Sequence, residues 1–455
     1  MLRRTVSCDF AFGTMVAGVT LAVGIRCQSA EPKNGTLQTG EERLVIHEWG
    51  TFTSLQDEQG KAISGINSDD EPVPAFVHRI ATFLLLGPKP EIPILYQGAP
   101  RCHPDVTMRL ETPVVYFYPG RNSKLPLTLD VEVGFPAGWL SEYYPDAEVD
   151  APGVTNQQQF GPIRNDATGR LRWAGLQVGT NREGPKTASP VWIAPREVQS
   201  AGVTTAGGES ERYLFYRGVG HVDSPVRVVH DEPNKTLEIA FQAPRGVEET
   251  SCKLRRLWIV DVREDRKCTF RDLPGAEVPT DGESYPLGST PDTFAESEYD
   301  VGNLAKVVGE MRSALIADGL FADEADALLK TWKLSYFQSP GLRVFYLLPR
   351  SWTDRLLPLR TSVDAEIVRV MVGRVELVTT RQRQLLQEIS AGPASKPARI
   401  GEASAPAQDF KAYDQLGRFR NALLLDELKR QPTEPLRAFI QNYGLDGYRS
   451  ATAKE

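Results

Sequence analysis

Within the run Leu44-Val-Ile-His-Glu-Trp-Gly-Thr-Phe-Thr53, a histidine, a carboxylate and a tryptophan stand side by side among apolar residues. The imidazole of His47 can act as a general base or a metal ligand, and the carboxylate of Glu48 can take a proton from an activated water. The pair begins like the His-Glu-x-x-His helix of zinc proteases, but the fifth position is Thr51, and Gly50 among β-formers disfavours a helix. As a strand, Val45, His47, Trp49 and Thr51 share one face. Ile46, Glu48 and Phe52 belong elsewhere, and Gly50 marks a bulge or a close approach. Two readings follow. The strand presents His47 as a ligand or base, or it buries a hydrogen-bonded histidine and pairs Glu48 with an arginine.

Other chemistry-bearing residues are sparse. The histidines are His47, His78, His103, His221 and His230, and a zinc site takes three or four side chains. Cys102-His103 and His221-Val-Asp223 are the best companions for His47. They define a metal-assisted hydrolase reading, with His47, His103 and His221 on zinc and Glu48 or Glu142 as general base. No ligand spacing marks these residues, so each also reads as a surface or turn residue. Asp69-Asp70-Glu71 clusters carboxylates as calcium sites do, but lacks the glycine of an EF-hand loop and reads as a solvated acidic turn. Gly179 to Thr187 nearly spells a phosphate loop, yet Pro185 breaks the spacing and removes a backbone donor. No nucleophile elbow appears, and Gly218-Val-Gly220 lacks the third glycine of a dinucleotide fingerprint. Trp139, Tyr143 and Tyr144 beside Glu142 form an aromatic, acidic cluster on an expected loop. Such a cluster suits stacking on a sugar or peptide, and equally suits packing beneath the loop.

The elements that must hold these residues divide into stretches. Residues 1–30 read as a signal peptide, with Arg3 and Arg4 before the apolar run Phe10 to Ile25, and residues 31–43 as a mobile leader. Residues 44–271 read as a β-rich domain. Leu125, Leu127, Leu129, Val131, Val133 and Phe135 alternate with polar residues, and further short strands include Val191 to Ile193 and Lys253 to Val262. Residues 272–292, rich in Pro, Gly, Asp and Ser, read as a linker or surface loop. Residues 293–389 read as a mainly helical α/β region. Asn303 to Ala317 carries a stripe at Leu304, Val307, Val308, Met311 and Leu315, and Ala322 to Lys333 is a second helix. Leu342 to Leu348 and Ala365 to Thr379 read as buried strands. Residues 390–407 are a linker, and 408–455 a closing helical segment. The expected fold class is α+β: an N-terminal antiparallel β-sandwich-like region, then a mainly helical C-terminal half with a few strands.

The opening run resembles the signature of a family of exported bacterial proteins of unknown function. Further matching segments are Glu111-Thr-Pro-Val-Val-Tyr-Phe-Tyr118, Phe215-Tyr-Arg-Gly218 and Val372-Gly-Arg-Val-Glu376. The resemblance spans most of the chain after residue 43, implies export, and supplies no catalytic residues.

Bulk properties narrow the function classes. With 41% hydrophobic and 24% charged residues the balance is globular, which excludes wholesale disorder. A net charge of −7 disfavours nucleic acid as a partner. The apolar N-terminal run is short and interrupted for a permanent membrane span. Beyond the signal, Cys102, Cys252 and Cys268 permit at most one intrachain bridge. Cys252 and Cys268 flank a strand that separates them by about 23 Å, too far for a disulfide, which leaves Cys102 as partner for either. The first functional reading is an exported, β-rich protein that binds a small molecule, a glycan or a protein. The zinc hydrolase is the alternative.

Overall fold

Leu44–Gln56 runs as one strand through the middle of a nine-stranded sheet. The structure is a computed structural model that describes residues 43–67, 72–80, 95–96, 98–155, 160–245, 249–392 and 412–442. On one side the opening strand pairs antiparallel with Met108–Tyr118. Leu214–Gly220, Gly138–Tyr144 and the short edge His78–Arg79 follow outward. On the other side it pairs in parallel with Ala365–Leu377, and then come Gly341–Leu347, Ser251–Val262 and Cys268–Pro279, all antiparallel. Gly50 sits at a register shift between Trp49 and Thr51, where a Cβ would lie 2.9 Å from Pro113 Cα. Only glycine lets the two backbones pass so closely.

Side-chain alternation gives this sheet two buried faces. Leu44, Ile46 and Phe52 pack against Leu129, Val131, Val133 and Phe135 of the strand Leu127–Pro136, within a six-stranded sheet, and against Ile239 and Phe241 of a three-stranded sheet. Leu125 lies outside that strand and is exposed, whereas the rest of the expected stripe from Leu129 onward is buried. Val45 and Trp49 pack instead against Val307, Met311, Leu315 and Leu328 of the helices Asn303–Ala317 and Ala322–Thr331. A third cluster joins Leu55 to the helices Thr380–Ala391, Arg420–Arg430 and Glu434–Asn442.

The α+β expectation of a mainly helical C-terminal half is overturned. Among the described residues 42% are strand against 23% helix, and the helices are few and scattered. Several lie where their apolar period put them, Asn303–Ala317 among them. Between them, however, Gly341–Leu347 and Ala365–Leu377 each pair on both edges and complete the sheet that the N-terminal strands begin. A strand buried on both faces reads as an unbroken apolar run and carries no sign of which sheet it enters. The parallel pairing of Leu44–Gln56 with Ala365–Leu377 also makes the large sheet mixed rather than antiparallel.

Smaller expectations change too. Most of the 272–292 stretch is strand, in Cys268–Pro279 and Ser284–Pro291. Both are edge strands, where proline costs no ladder bond. Val191 to Ile193 belongs to the short helix Pro190–Arg196, because Pro190 at its first turn presets a helical φ that outweighs two β-branched residues. Cys102, Cys252 and Cys268 are buried, and no disulfide joins them. Cys268 pairs with Val262 and Cys252 with Val278, towards opposite ends of one hairpin. No helix among the described residues is long and apolar enough to cross a membrane. The expected signal and leader (save Arg43), the acidic triplet 69–71 and most of the 390–407 linker lie outside the described residues.

Candidate functional site

The opening strand carries three buried polar centres. On the helix-covered face, the His47 Nδ1–H donates to Glu324 Oε2 at 2.8 Å. Glu324 also accepts from the Tyr118 hydroxyl at 2.8 Å and from the Phe321 backbone N–H at 2.7 Å. This carboxylate is fully buried in the first turn of Ala322–Thr331, where the helix dipole favours negative charge. The Phe321 and Tyr118 rings pack on the imidazole with centroids 4.5 Å and 5.2 Å away. Burial and the neighbouring Glu324 push the Tyr118 hydroxyl pKa well up, so it remains a proton donor.

On the opposite face, Glu48 accepts from Arg369 Nε at 2.5 Å and from the Tyr216 hydroxyl. Glu48 and Arg369 are register partners across the parallel pair, which puts both side chains on one face. Arg369 also donates from Nη1 to Asp354 Oδ1 at 2.8 Å. Burial works against its charge, but Glu48, Tyr216 and Asp354 outweigh burial and raise its pKa. Its Nη2 is fully buried on the edge of the guanidinium that meets Glu48 and Tyr216.

Further along, Thr51 bonds the Tyr336 hydroxyl, and Thr53 donates to Glu111 Oε2 at 2.9 Å. Arg418 donates to Glu111 Oε1 at 2.6 Å, and Arg109 Nε lies 3.4 Å from the same oxygen. Arg374, beside Thr53 in register, donates to Glu376 at 2.6 Å, with Arg343 Nε 3.1 Å from that carboxylate. The centre is electropositive. Burial alone would raise the Glu111 pKa, yet Arg418, Arg109 and Arg374 bring it down to about 2. Arg343 is brought down to about 10, by burial first and then by Arg374 and Arg418, against the pull of Glu376.

The residues of the zinc reading do not converge. The buried His103 accepts from the Asp105 N–H at Nδ1, 3.2 Å away, and donates from Nε2 to the Gly161 carbonyl at 3.1 Å. Both ring nitrogens are therefore spent on a neutral imidazole, and burial lowers its pKa against the pull of Asp105 and Gly161. His221 donates from Nδ1 to the Asp105 carbonyl at 2.8 Å and is exposed. Thus His103 and His221 meet around Asp105, whereas His47 is held by Glu324, Tyr118 and Phe321. Among the described residues no set of three His, Cys, Asp or Glu side chains is disposed to hold a metal. Glu142 accepts from Arg79 Nε at 2.8 Å and faces Arg217 Nη1 at 3.7 Å. Trp139, Tyr143 and Tyr144 lie on the strand Gly138–Tyr144 and are buried, so they offer no sugar-stacking surface. Trp139 donates to the Pro152 carbonyl, and Tyr144 packs on Phe76 and Trp192.

Next to these centres, among the described residues, lies a cleft of about 270 Å³. Its walls are Glu249, the start of Ser251–Val262, the segment Leu348 to Ser351, Asp318 and Arg369. Arg369 thus links the cleft to Glu48 at the centre of the sheet. Sequence reasoning missed Arg369 and Glu324. An arginine within an apolar strand was the signal for the first. The second, three residues after Phe321, marked a helix start that nothing tied to His47.

No protein-family model matches the chain, and no curated protein gives a significant match. Among solved structures the chain is similar to the Fcho1 Mu homology domain of Danio rerio with a bound Eps15 peptide. The match has a TM-score of 0.25 and 6% identity and covers 75% of this chain and 97% of that one. So low a score establishes no common fold and carries no argument about function.

Proposed function

We propose that this is an exported ligand-binding protein whose ligand occupies the cleft beside Arg369. One observation carries the reading: an open cleft of about 270 Å³ is walled by charged and hydroxyl-bearing residues, Glu249, Ser251, Lys253 and Ser351 among them, beside the buried Glu48–Arg369 pair. An open cavity with a few polar groups on its walls is the kind of place that orients a small ligand. The basic start and apolar run of residues 1–30, with the resemblance to an exported bacterial family, support export. The zinc hydrolase gains no comparable support, because His47, His103 and His221 are separately engaged.

Thermal unfolding with inorganic phosphate, citrate, maltose or spermidine tests the cleft. Ser251, on the wall and in a strand, accepts a cavity-filling Ser251→Trp change. A ligand at a hundredfold its Kd stabilises the fold by about 2.7 kcal/mol. We expect at least one probe to raise the wild-type Tm and to leave the folded Ser251→Trp variant unmoved. Equal stabilisation of both proteins, or none of either, would overturn the reading.

A further inference from the structure

We propose that this chain crosses its membrane already folded, taken up by a receptor that reads Arg3-Arg4 as a twin-arginine address. This inference rests on the reading of the chain as exported. The first residues supply the address. Arg3 and Arg4 stand together ahead of the apolar run, and Gly13, Thr14, Gly18, Thr20 and Gly24 dilute that run. So weak a run partitions poorly by hydrophobicity alone, which leaves the paired arginines as the feature to recognise.

The reason for folding first lies in one hairpin. Ser251–Val262 pairs with Cys268–Pro279 so that Cys268 faces Val262 and Cys252 faces Val278. Cys252 lies ten residues before Val262, so roughly 33 Å of ladder separates the two cysteines. A disulfide spans at most about 7 Å between Cα atoms. In the unfolded chain the same cysteines are only sixteen residues apart, a loop that closes readily. A chain threaded unfolded into an oxidising compartment would join them, and the bridge would forbid the hairpin. Folding beforehand removes the hazard, because Cys252 is then 5% exposed and Cys268 1%. Burial raises both thiol pKa values, Cys252 to about 11 with help from Glu249 and Glu277, and Cys268 with help from Asp300 and Asp261. Neither therefore offers the thiolate that attacks an oxidant. Topology adds to the need. The opening strand is near the N-terminus, yet its parallel partner Ala365–Leu377 comes some 300 residues later. A chain emerging N-terminus first would hold that apolar edge unpaired until most of it had crossed.

Expression of the full chain in a bacterium that has a twin-arginine route tests the inference. Arg3→Lys with Arg4→Lys keeps the positive start and removes the paired guanidiniums. We expect at least tenfold less mature protein outside the cytoplasm for this double variant. Its retained precursor should be folded, with Cys252 and Cys268 unreactive to N-ethylmaleimide, read by peptide mapping, until urea is added. Export of the double variant at the wild-type level would overturn the proposal and leave export standing. A retained precursor whose two thiols react without urea would overturn it as well. If the wild type itself stays in the cytoplasm with residues 1–30 uncut, this inference and the export reading fall together. Refolding tests the hairpin argument. The urea-unfolded mature chain is diluted into oxidised glutathione, which takes two electrons and two protons from the cysteine pair and leaves as two glutathione molecules. We expect a Cys252–Cys268 bridge in the wild type, and at least tenfold more native protein from Cys252→Ala. Equal native yields would remove the reason for folding first and overturn the proposal.

Discussion

Glu48 is buried against a guanidinium, so removing one charge strands the other. Breaking such a pair from one side typically costs about 3–5 kcal/mol. Glu48→Ala should therefore lower stability by that order in urea unfolding. Adding Arg369→Met should restore part of the loss, because the uncompensated charge goes with it, and a double variant less stable than the single one would contradict this account. Glu111 gives a pH signature. Its carboxyl titrates at about 2 in the folded chain against an ordinary 4.5. A depressed folded-state pKa stabilises the fold above the unfolded value, and that contribution drains away as pH falls from 4.5 through about 2. Linkage puts its size at roughly 3 kcal/mol. Urea unfolding across that window should show a steeper loss for wild type than for Glu111→Gln, and parallel curves would remove Glu111 as the source. The sequence showed the opening strand, its facing pattern and the Gly50 close approach. It did not show that His47 and Glu48 face different partners, Glu324 and Arg369, that lie hundreds of residues away.

Elements obeyed local rules where the local environment was ordinary. Asn303–Ala317 was legible because its apolar residues recur at helical spacing and face the sheet. Cys268–Pro279 was not, because Pro274 and Gly275 look like loop residues until the strand is known to be an edge. There Gly275 has a packing reason: a Cβ would come within 1.8 Å of the Arg255 carbonyl oxygen. Gly275→Ala should therefore force the hairpin apart and lower stability by about 1–3 kcal/mol. The contrast is Gly309, exposed in the middle of Asn303–Ala317 with nothing within 4 Å of a Cβ. Gly309→Ala should stabilise by about 0.5–1 kcal/mol, since alanine is the better helix former. Thermal unfolding of the two variants should move in opposite directions, and a shared direction would mean that the packing at one of them is misjudged.

At the scale of the whole molecule, the order of strands decides what can fold alone. Ser251–Val262 and Cys268–Pro279 reach the opening strand only through Gly341–Leu347 and Ala365–Leu377. A fragment of residues 44–271 therefore lacks the two strands that join its halves and leaves the free edge of Leu44–Gln56 open. It should aggregate or fail to unfold cooperatively, because an unpaired, apolar edge is a template for association. A monomeric fragment with a dispersed NMR spectrum and a cooperative transition would overturn this reading of the fold. The sequence by itself determined the periodicities, most helix positions in the second half, the β-rich first half and the place of the opening strand, because these follow from side-chain spacing over a few residues. Only the tertiary structure decided that the second half completes the sheet of the first, and that Glu48 meets Arg369 at the wall of a cleft. Strand pairing and ion pairing across some 300 residues leave no periodic trace in the chain; they are chosen by which buried faces and charges can be satisfied together.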